Sequence, residues 1–137
     1  MPVYYEEISI STTSRFELID ITSKVEEVVK RSNIRNGICM IFAPHATAAI
    51  IANEHEYGLL QDIVRLIKEL FKPDANWLHN RIDDNAHAHL GSAIIGASRS
   101  FPVINGRLMR GTWQNIFLVE MDGPRRVRKV IVMVVGE

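Results

Sequence analysis

Between Trp77 and Leu90 the chain reads WLHNRIDDNAHAHL, which places His79, His87, His89, Asp83, Asp84, Asn80 and Asn85 close together. Imidazole and carboxylate groups bind divalent cations and change protonation near neutral pH, so this is the vocabulary of metal and proton-transfer sites. The chain has five histidines, at 45, 55, 79, 87 and 89. If residues 85–97 form a helix, His87 and His89 point about 200° apart around its axis and cannot share one ion. His79 from the preceding loop and His89 from the helix then need a third donor. His45, just past a buried strand, is the obvious one. Three neutral imidazoles around a divalent ion, zinc for example, with one open position make a workable catalytic arrangement. The 79…89 spacing matches no linear metal signature, and a single surface hydrogen bond is the commoner use of any one histidine.

Other residues could join this chemistry. Glu54 follows an apolar run, so partial desolvation would suit it to proton transfer; otherwise it is an acid in the first turn of the next helix. Asp83 and Asp84 are adjacent and cannot face each other. One is expected to cap the helix and the other to orient a histidine. His55 and His87 are assigned to the surface. GTWQ (111–114) sets a glycine, a hydroxyl, an indole and an amide between two strands, either as the wall of a ligand pocket or with Trp113 in the core. Gly123-Pro124-Arg125 reads as a turn with an anion contact in reserve. No phosphate-binding glycine loop, nucleophile elbow or HExxH is present.

The elements that must hold these residues follow from periodicity. Strands are expected over 4–10 and 15–21, with 11–14 as the turn between them. Ser23 and Glu26 have capping-box spacing ahead of Val25, Val28 and Val29, which predicts a helix ended by 33–37. Residues 38–43 form a continuous apolar run, as in a strand covered on both faces. A further buried strand over 47–52 would leave His45 at one end and Asn53–Glu54 at the other. Residues 57–71 carry Leu59, Leu60, Ile63, Val64, Ile67 and Leu70 at helical spacing, closed by Pro73. In the 85–97 helix, capped by Asp84 or Asn85, Leu90, Ile94 and Ile95 are expected to face the core. Beyond it, apolar segments broken by Asn105-Gly106 and Asp122-Gly123-Pro124 predict a β-meander. Arg126, Arg128, Val130 and Val132 fall on one face of its last strand.

The sum is one α+β domain over 1–137, β-rich and sandwich-like, with mostly antiparallel sheets and two or three helices. Its 16 basic and 16 acidic residues cancel, so no global field draws in nucleic acid or an anionic membrane. The lone Cys39 excludes an intrachain disulfide and reads as a small buried hydrophobe. No apolar run approaches spanning length and no cleavable signal is visible, so a cytoplasmic protein is expected.

PHATAAIIANE, the DDNAHAHL stretch after a histidine, the G-A-S segment, GTWQ-x-I, and E-x-DGPR-R with a closing GE resemble the YjbQ family, over nearly the whole chain. The resemblance implies a compact β-rich α+β fold assembled as a homotrimer. It also implies a weak thiamine-phosphate synthase activity, joining a hydroxymethylpyrimidine diphosphate to a thiazole phosphate with loss of pyrophosphate. Carried over by position, the family's polar set falls on His45, Asn53, Glu54, His79, Asp84 and His89, and its GTWQ on Gly111, Thr112, Trp113 and Gln114. Ala46 stands where the family usually has Thr or Ser, so no hydroxyl acts there. The expected enzyme takes a small, phosphorylated ligand, with His45, His79 and His89 on a divalent metal. Glu54, Asp84 and His45 are its catalytic groups, and Asn53, Thr112, Trp113, Gln114 and Arg125 its substrate contacts. The alternative is a trimeric ligand-binding or regulatory module without turnover.

Overall fold

The structure, a computed structural model of residues 1–137, contains eight strands and three helices. In chain order these are β1 (Val3–Ile10), β2 (Glu17–Asp20), α1 (Thr22–Ser32), β3 (Gly37–Phe42), β4 (Ala48–Asn53), α2 (Tyr57–Leu70), α3 (Ala86–Ile95), β5 (Ser98–Ile104), β6 (Arg107–Leu108), β7 (Asn115–Glu120) and β8 (Arg128–Gly136). A 3₁₀ turn, Leu78–Arg81, precedes α3. Every pairing is antiparallel: one sheet has the order β1-β8-β3-β5-β6 and the other β2-β7-β4. This is the expected α+β class. No helix is long and apolar enough to cross a membrane.

The two sheets pack face to face. Val130, Val132 and Val134 of β8, Cys39 and Ile41 of β3, and Phe101 and Val103 of β5 meet Ala48, Ile50, Ile116 and Leu118 of the smaller sheet. Val25, Val28 and Val29 of α1 close the same core. Burial pushes the Cys39 thiol up to about 12, so it behaves as the expected hydrophobe. The opposite face of the smaller sheet, with Ala49, Val119 and Met121, packs on Ile67 and Phe71 from α2's side and Ala88 of α3. β4 and β7 are therefore covered on both sides, which is why both read as unbroken apolar runs.

Several expectations are corrected. Residues 11–14 do not form a hairpin, because β1 and β2 lie in different sheets and the chain turns a corner there. The C-terminal strands are not a simple meander: β5 and β6 pair through the Asn105-Gly106 turn, but β7 crosses to the small sheet before β8 returns between β1 and β3. Both turn residues have positive φ, which this two-residue connection requires and Asn-Gly tolerates. β3 is covered on one face only; Ile38 is exposed on the other, across β8 from Val3 and Tyr5 of β1. The Ser23–Glu26 capping box is not used, since Asp20 at the end of β2 takes the Thr22 N–H at 2.9 Å and its hydroxyl at 2.6 Å.

β8 brings an unexpected group inside. Its alternating buried face begins with Arg128, 2% exposed, rather than with solvated charge. Arg128 Nε donates to Oε1 of Glu120, the last residue of β7, at 2.9 Å, and Nη2 donates to the Thr47 hydroxyl at 3.0 Å. Glu120 also accepts the Thr12 hydroxyl at 2.8 Å and the Asp122 N–H at 3.0 Å. Burial alone would raise this carboxyl, but those donors outweigh it and lower its pKa. Removing one partner strands the other charge in the interior. Glu120→Ala should therefore cost about 3–5 kcal/mol, read as a lowered midpoint in urea unfolding.

Candidate functional site

α3 sorts its two histidines as helical geometry requires. His87 turns inward, fully buried, with Nε2 bonded to the Met121 carbonyl at 2.8 Å and its ring 5.3 Å from Phe16. Its assignment to the surface is thus corrected: a helix rich in alanine and glycine sits close to the sheet, and a side chain at this position has nowhere else to go. The core face of α3 is Ala86, His87, Ala88, Gly91 and Ser92, whereas Leu90 and Ile94 point outward, Ile94 being 74% exposed. The approach at Gly91 is so close that an added Cβ would lie 2.4 Å from Met121 Sδ. Asn85 stands at the N-cap without a capping bond from its side chain, and Asn80 of the 3₁₀ turn accepts the Ala86 N–H at 3.1 Å instead.

His89 turns the other way and meets His79. The two rings lie edge to face with centroids 4.7 Å apart, and His79 Nε2 is buried without a hydrogen-bond partner. A cleft of about 420 Å³ opens over them, lined also by Trp77, Leu78, Ala86 and Leu90. The Trp77 indole is anchored by its Nε1 to the Lys72 carbonyl at 2.7 Å. The walls are mostly apolar, with the two imidazoles as the polar groups, which suits a flat heteroaromatic ring.

The remaining expected residues do not gather here. No three His, Cys, Asp or Glu side chains lie close enough to hold one metal ion. His45 instead uses Nε2 to contact the Lys129 carbonyl at 2.9 Å, and burial lowers its pKa. A divalent ion needs more than the two imidazoles of His79 and His89, so the three-histidine metal set is not formed within one chain. Asp84 bonds no histidine; its carbonyl receives Arg15 Nη2 at 3.2 Å. Arg125 is engaged by Asp122, with Nη2 to Oδ2 at 2.9 Å.

Asn53 and Glu54 lie at the far end of β4 from His45. Five steps along a strand, from Ala48 to Asn53, span about 17 Å. Gly111–Gln114 lie at that far end too, ahead of Asn115, which pairs with Asn53. Their turn closes on itself, since the Gln114 side-chain oxygen accepts the Gly111 N–H at 2.7 Å. Trp113 is 69% exposed, so neither a core position nor a pocket wall within this chain describes it. Glu120, Arg128 and Asp20 carry no local signal beyond an acid or a base at the first or last position of an apolar strand.

The class of protein defined by this geometry is a small antiparallel α+β domain with a paired-histidine cleft beside one helix. A family model described as "UPF0047 protein YjbQ-like" matches residues 6–137. A UPF0047 protein of Methanothermobacter thermautotrophicus is 47% identical over 137 residues, covering 100% of this chain and 95% of the relative. YugU, a UPF0047 protein of Bacillus subtilis, is 40% identical over 119 residues, 86% of this chain and 89% of its own. A crystallised YbjQ-like protein of unknown function from Sulfolobus solfataricus superposes with a TM-score of 0.98 at 59% identity, covering 99% of both chains. A hypothetical protein from Aeropyrum pernix does so with 0.94 at 48%, covering 97% of this chain and 98% of its own. The chain belongs to the YjbQ (UPF0047) family.

Burial depresses the pKa of both His87 and His45 below the ordinary 6.5. The fold accepts their neutral forms, so their contribution to stability is complete above about 6.5 and is lost as pH falls through the lowered folded values. Urea unfolding should show a lower midpoint at about pH 5 than at neutral pH. His87→Leu should flatten that slope.

Proposed function

We propose that this chain is a small-molecule enzyme whose substrate ring enters the cleft over His79 and His89. The observation that carries this is the buried, unpartnered Nε2 of His79, a residue that lines the cleft with His89 among mostly apolar neighbours. An unpaired buried nitrogen costs about 1–3 kcal/mol, and a ligand that bonds it recovers that cost. The family resemblance supports a reaction class: the thiazole nitrogen attacks the methylene carbon of a hydroxymethylpyrimidine diphosphate, the carbon–oxygen bond to the diphosphate breaks, and pyrophosphate leaves. In this reading the cleft holds the pyrimidine by stacking on Trp77 and hydrogen bonding to the imidazoles.

The reading extends to a homotrimer in the cytoplasm. What supports assembly is the outer face of the larger sheet, where Val3, Tyr5 and Ile38 are exposed beside half-buried Met40, Phe42, Ile131, Met133 and Val135. A continuous apolar face of this kind is unusual on a monomer. Assembly would also allow the Asn53, Glu54, Thr112, Trp113 and Gln114 end of one copy to approach the His45, His79, His89, Asp84 and Arg125 end of another. Zinc or another divalent ion belongs to the reading only if a second copy supplies a third ligand.

Purified protein should bind the pyrimidine diphosphate, measured by calorimetry, and form thiamine phosphate when thiazole phosphate is added. His79→Ala and His89→Ala should lose at least about tenfold of both, equal to about 1.4 kcal/mol. Binding that is unchanged in both variants would sink the cleft assignment, whereas binding without product would favour a ligand-sensing module. Separately, sedimentation should show an assembly that Ile38→Asp dissociates, and metal analysis of the assembled protein shows whether a shared ion exists.

A further inference from the structure

A second chemical group sits at the opposite end of the smaller sheet, away from the cleft. Asp20 ends β2, and its carboxylate is fastened before any histidine reaches it. Oδ1 takes the Thr22 N–H at 2.9 Å and the Thr22 hydroxyl at 2.6 Å, and Oδ2 takes Asn115 Nδ2 at 2.8 Å. The same Oδ2 meets His55 Nδ1 at 2.5 Å. Three strands and one helix converge here: Asp20 is the end of β2, Asn115 the start of β7, Thr22 the start of α1, and His55 follows β4 by two residues.

The proton positions follow from the donors. Burial would raise the Asp20 carboxyl, but the hydrogen bonds from Thr22, His55 and Asn115 outweigh it and hold it at about 2. It is therefore ionised and can only accept, so Nδ1 of His55 carries the proton. The lone pair of the neutral ring is then on Nε2. The ring rests 5.5 Å from that of Phe117, which limits its rotation, and the side chain is 51% exposed. Glu54 and Asn53 flank it along the chain, with the Glu54 N–H fixed on Asn53 Oδ1 at 2.8 Å. A histidine held by its Nδ1–H on a half-buried carboxylate, with the other nitrogen unengaged, is oriented as a base.

We propose that Asp20 and His55 form a proton-transfer dyad that activates water, or a hydroxyl group of a polar small molecule, at this end of the smaller sheet. Nε2 takes the proton, the oxygen–hydrogen bond breaks, and its electron pair stays on the oxygen, which becomes the nucleophile. That oxygen adds to the carbonyl carbon of an ester, the carbon–oxygen bond to the alcohol breaks, and the imidazolium, paired with Asp20, returns the proton to the departing alkoxide. His55 is the catalytic residue; Asp20, Thr22 and Asn115 are positioning residues. The dyad shares no residue with the His79–His89 cleft, so it stands or falls separately.

The probe is p-nitrophenyl acetate, whose ester carbonyl accepts the activated water and releases p-nitrophenolate. The parent protein should hydrolyse it several-fold faster than free imidazole at the same histidine concentration. His55→Gln and Asp20→Asn should remove that excess, and His79→Ala should leave it intact. Nitrogen-15 NMR of the parent should show His55 as the Nδ1–H tautomer, with a mixture of tautomers in Asp20→Asn. Asp20 also anchors α1, so a misfolded Asp20→Asn leaves the decision to His55→Gln and to the parent's tautomer. An excess that survives His55→Gln, an excess that disappears with His79→Ala alone, no excess at all, or mixed tautomers in the parent would each overturn the dyad.

Discussion

The two sheets of this domain are joined at one end by a charge pair that water does not reach. Glu120 closes β7 in the smaller sheet and Arg128 opens β8 in the larger one, so their contact fixes where the chain leaves one layer and enters the other. Thr12, after β1, and Thr47, before β4, bond to the same pair and bring two more crossings to that point. Taking both charges out of water is expensive, and a hydrophobic substitute could match or exceed their stability. What the pair supplies is direction: an apolar contact tolerates sliding, whereas a forked guanidinium on a carboxylate fixes register. The Asp122–Arg125 turn takes its place from this corner, the start of α3 follows through Asn85 on Asp122, and His45 rests on the Lys129 carbonyl next to Arg128.

The smaller sheet has only three strands, and two of them are covered on both faces, so its side chains can do no chemistry along their length. Polar groups are confined to the strand ends. That confinement explains the division of the expected site. His45 and the α3 histidines lie at one end, and Asn53, Glu54, His55 and the GTWQ turn at the other, because β4 separates them. Two centres of different character result. One is a cleft in which paired imidazoles face apolar walls; the other is an open group in which a carboxylate, tied by three donors, presents a histidine to solvent.

Much of the fold was legible in local pattern. The 57–71 helix emerged from its leucine and isoleucine spacing, and β1, β3 and β4 emerged within one or two residues, because these segments carry strong periodicity. The divergence of His87 and His89 followed from the helix repeat alone. The burial of His87 did not, because it depends on how closely α3 approaches Met121, a distance set by Gly91 and its small neighbours. Likewise, Asp20 and Glu120 looked like ordinary acids at strand edges. Their partners, His55, Asn115, Thr12 and Arg128, are between 8 and 108 residues away. No local pattern links such positions.

The amino-acid sequence by itself determined the strands and helices, the class α+β, the family, and the residue types able to do chemistry. Those properties arise from alternation, helical repeat and turn residues, all of which act over a few positions. Only the tertiary structure decided which of those residues meet. It brought His79 to His89, kept His45 from joining them, turned Trp113 into solvent, and set Asp20 under His55. The physical reason is that strand order and sheet-to-sheet packing, which place residues distant in the chain side by side, are settled by collective burial of the core and by the Glu120–Arg128 corner.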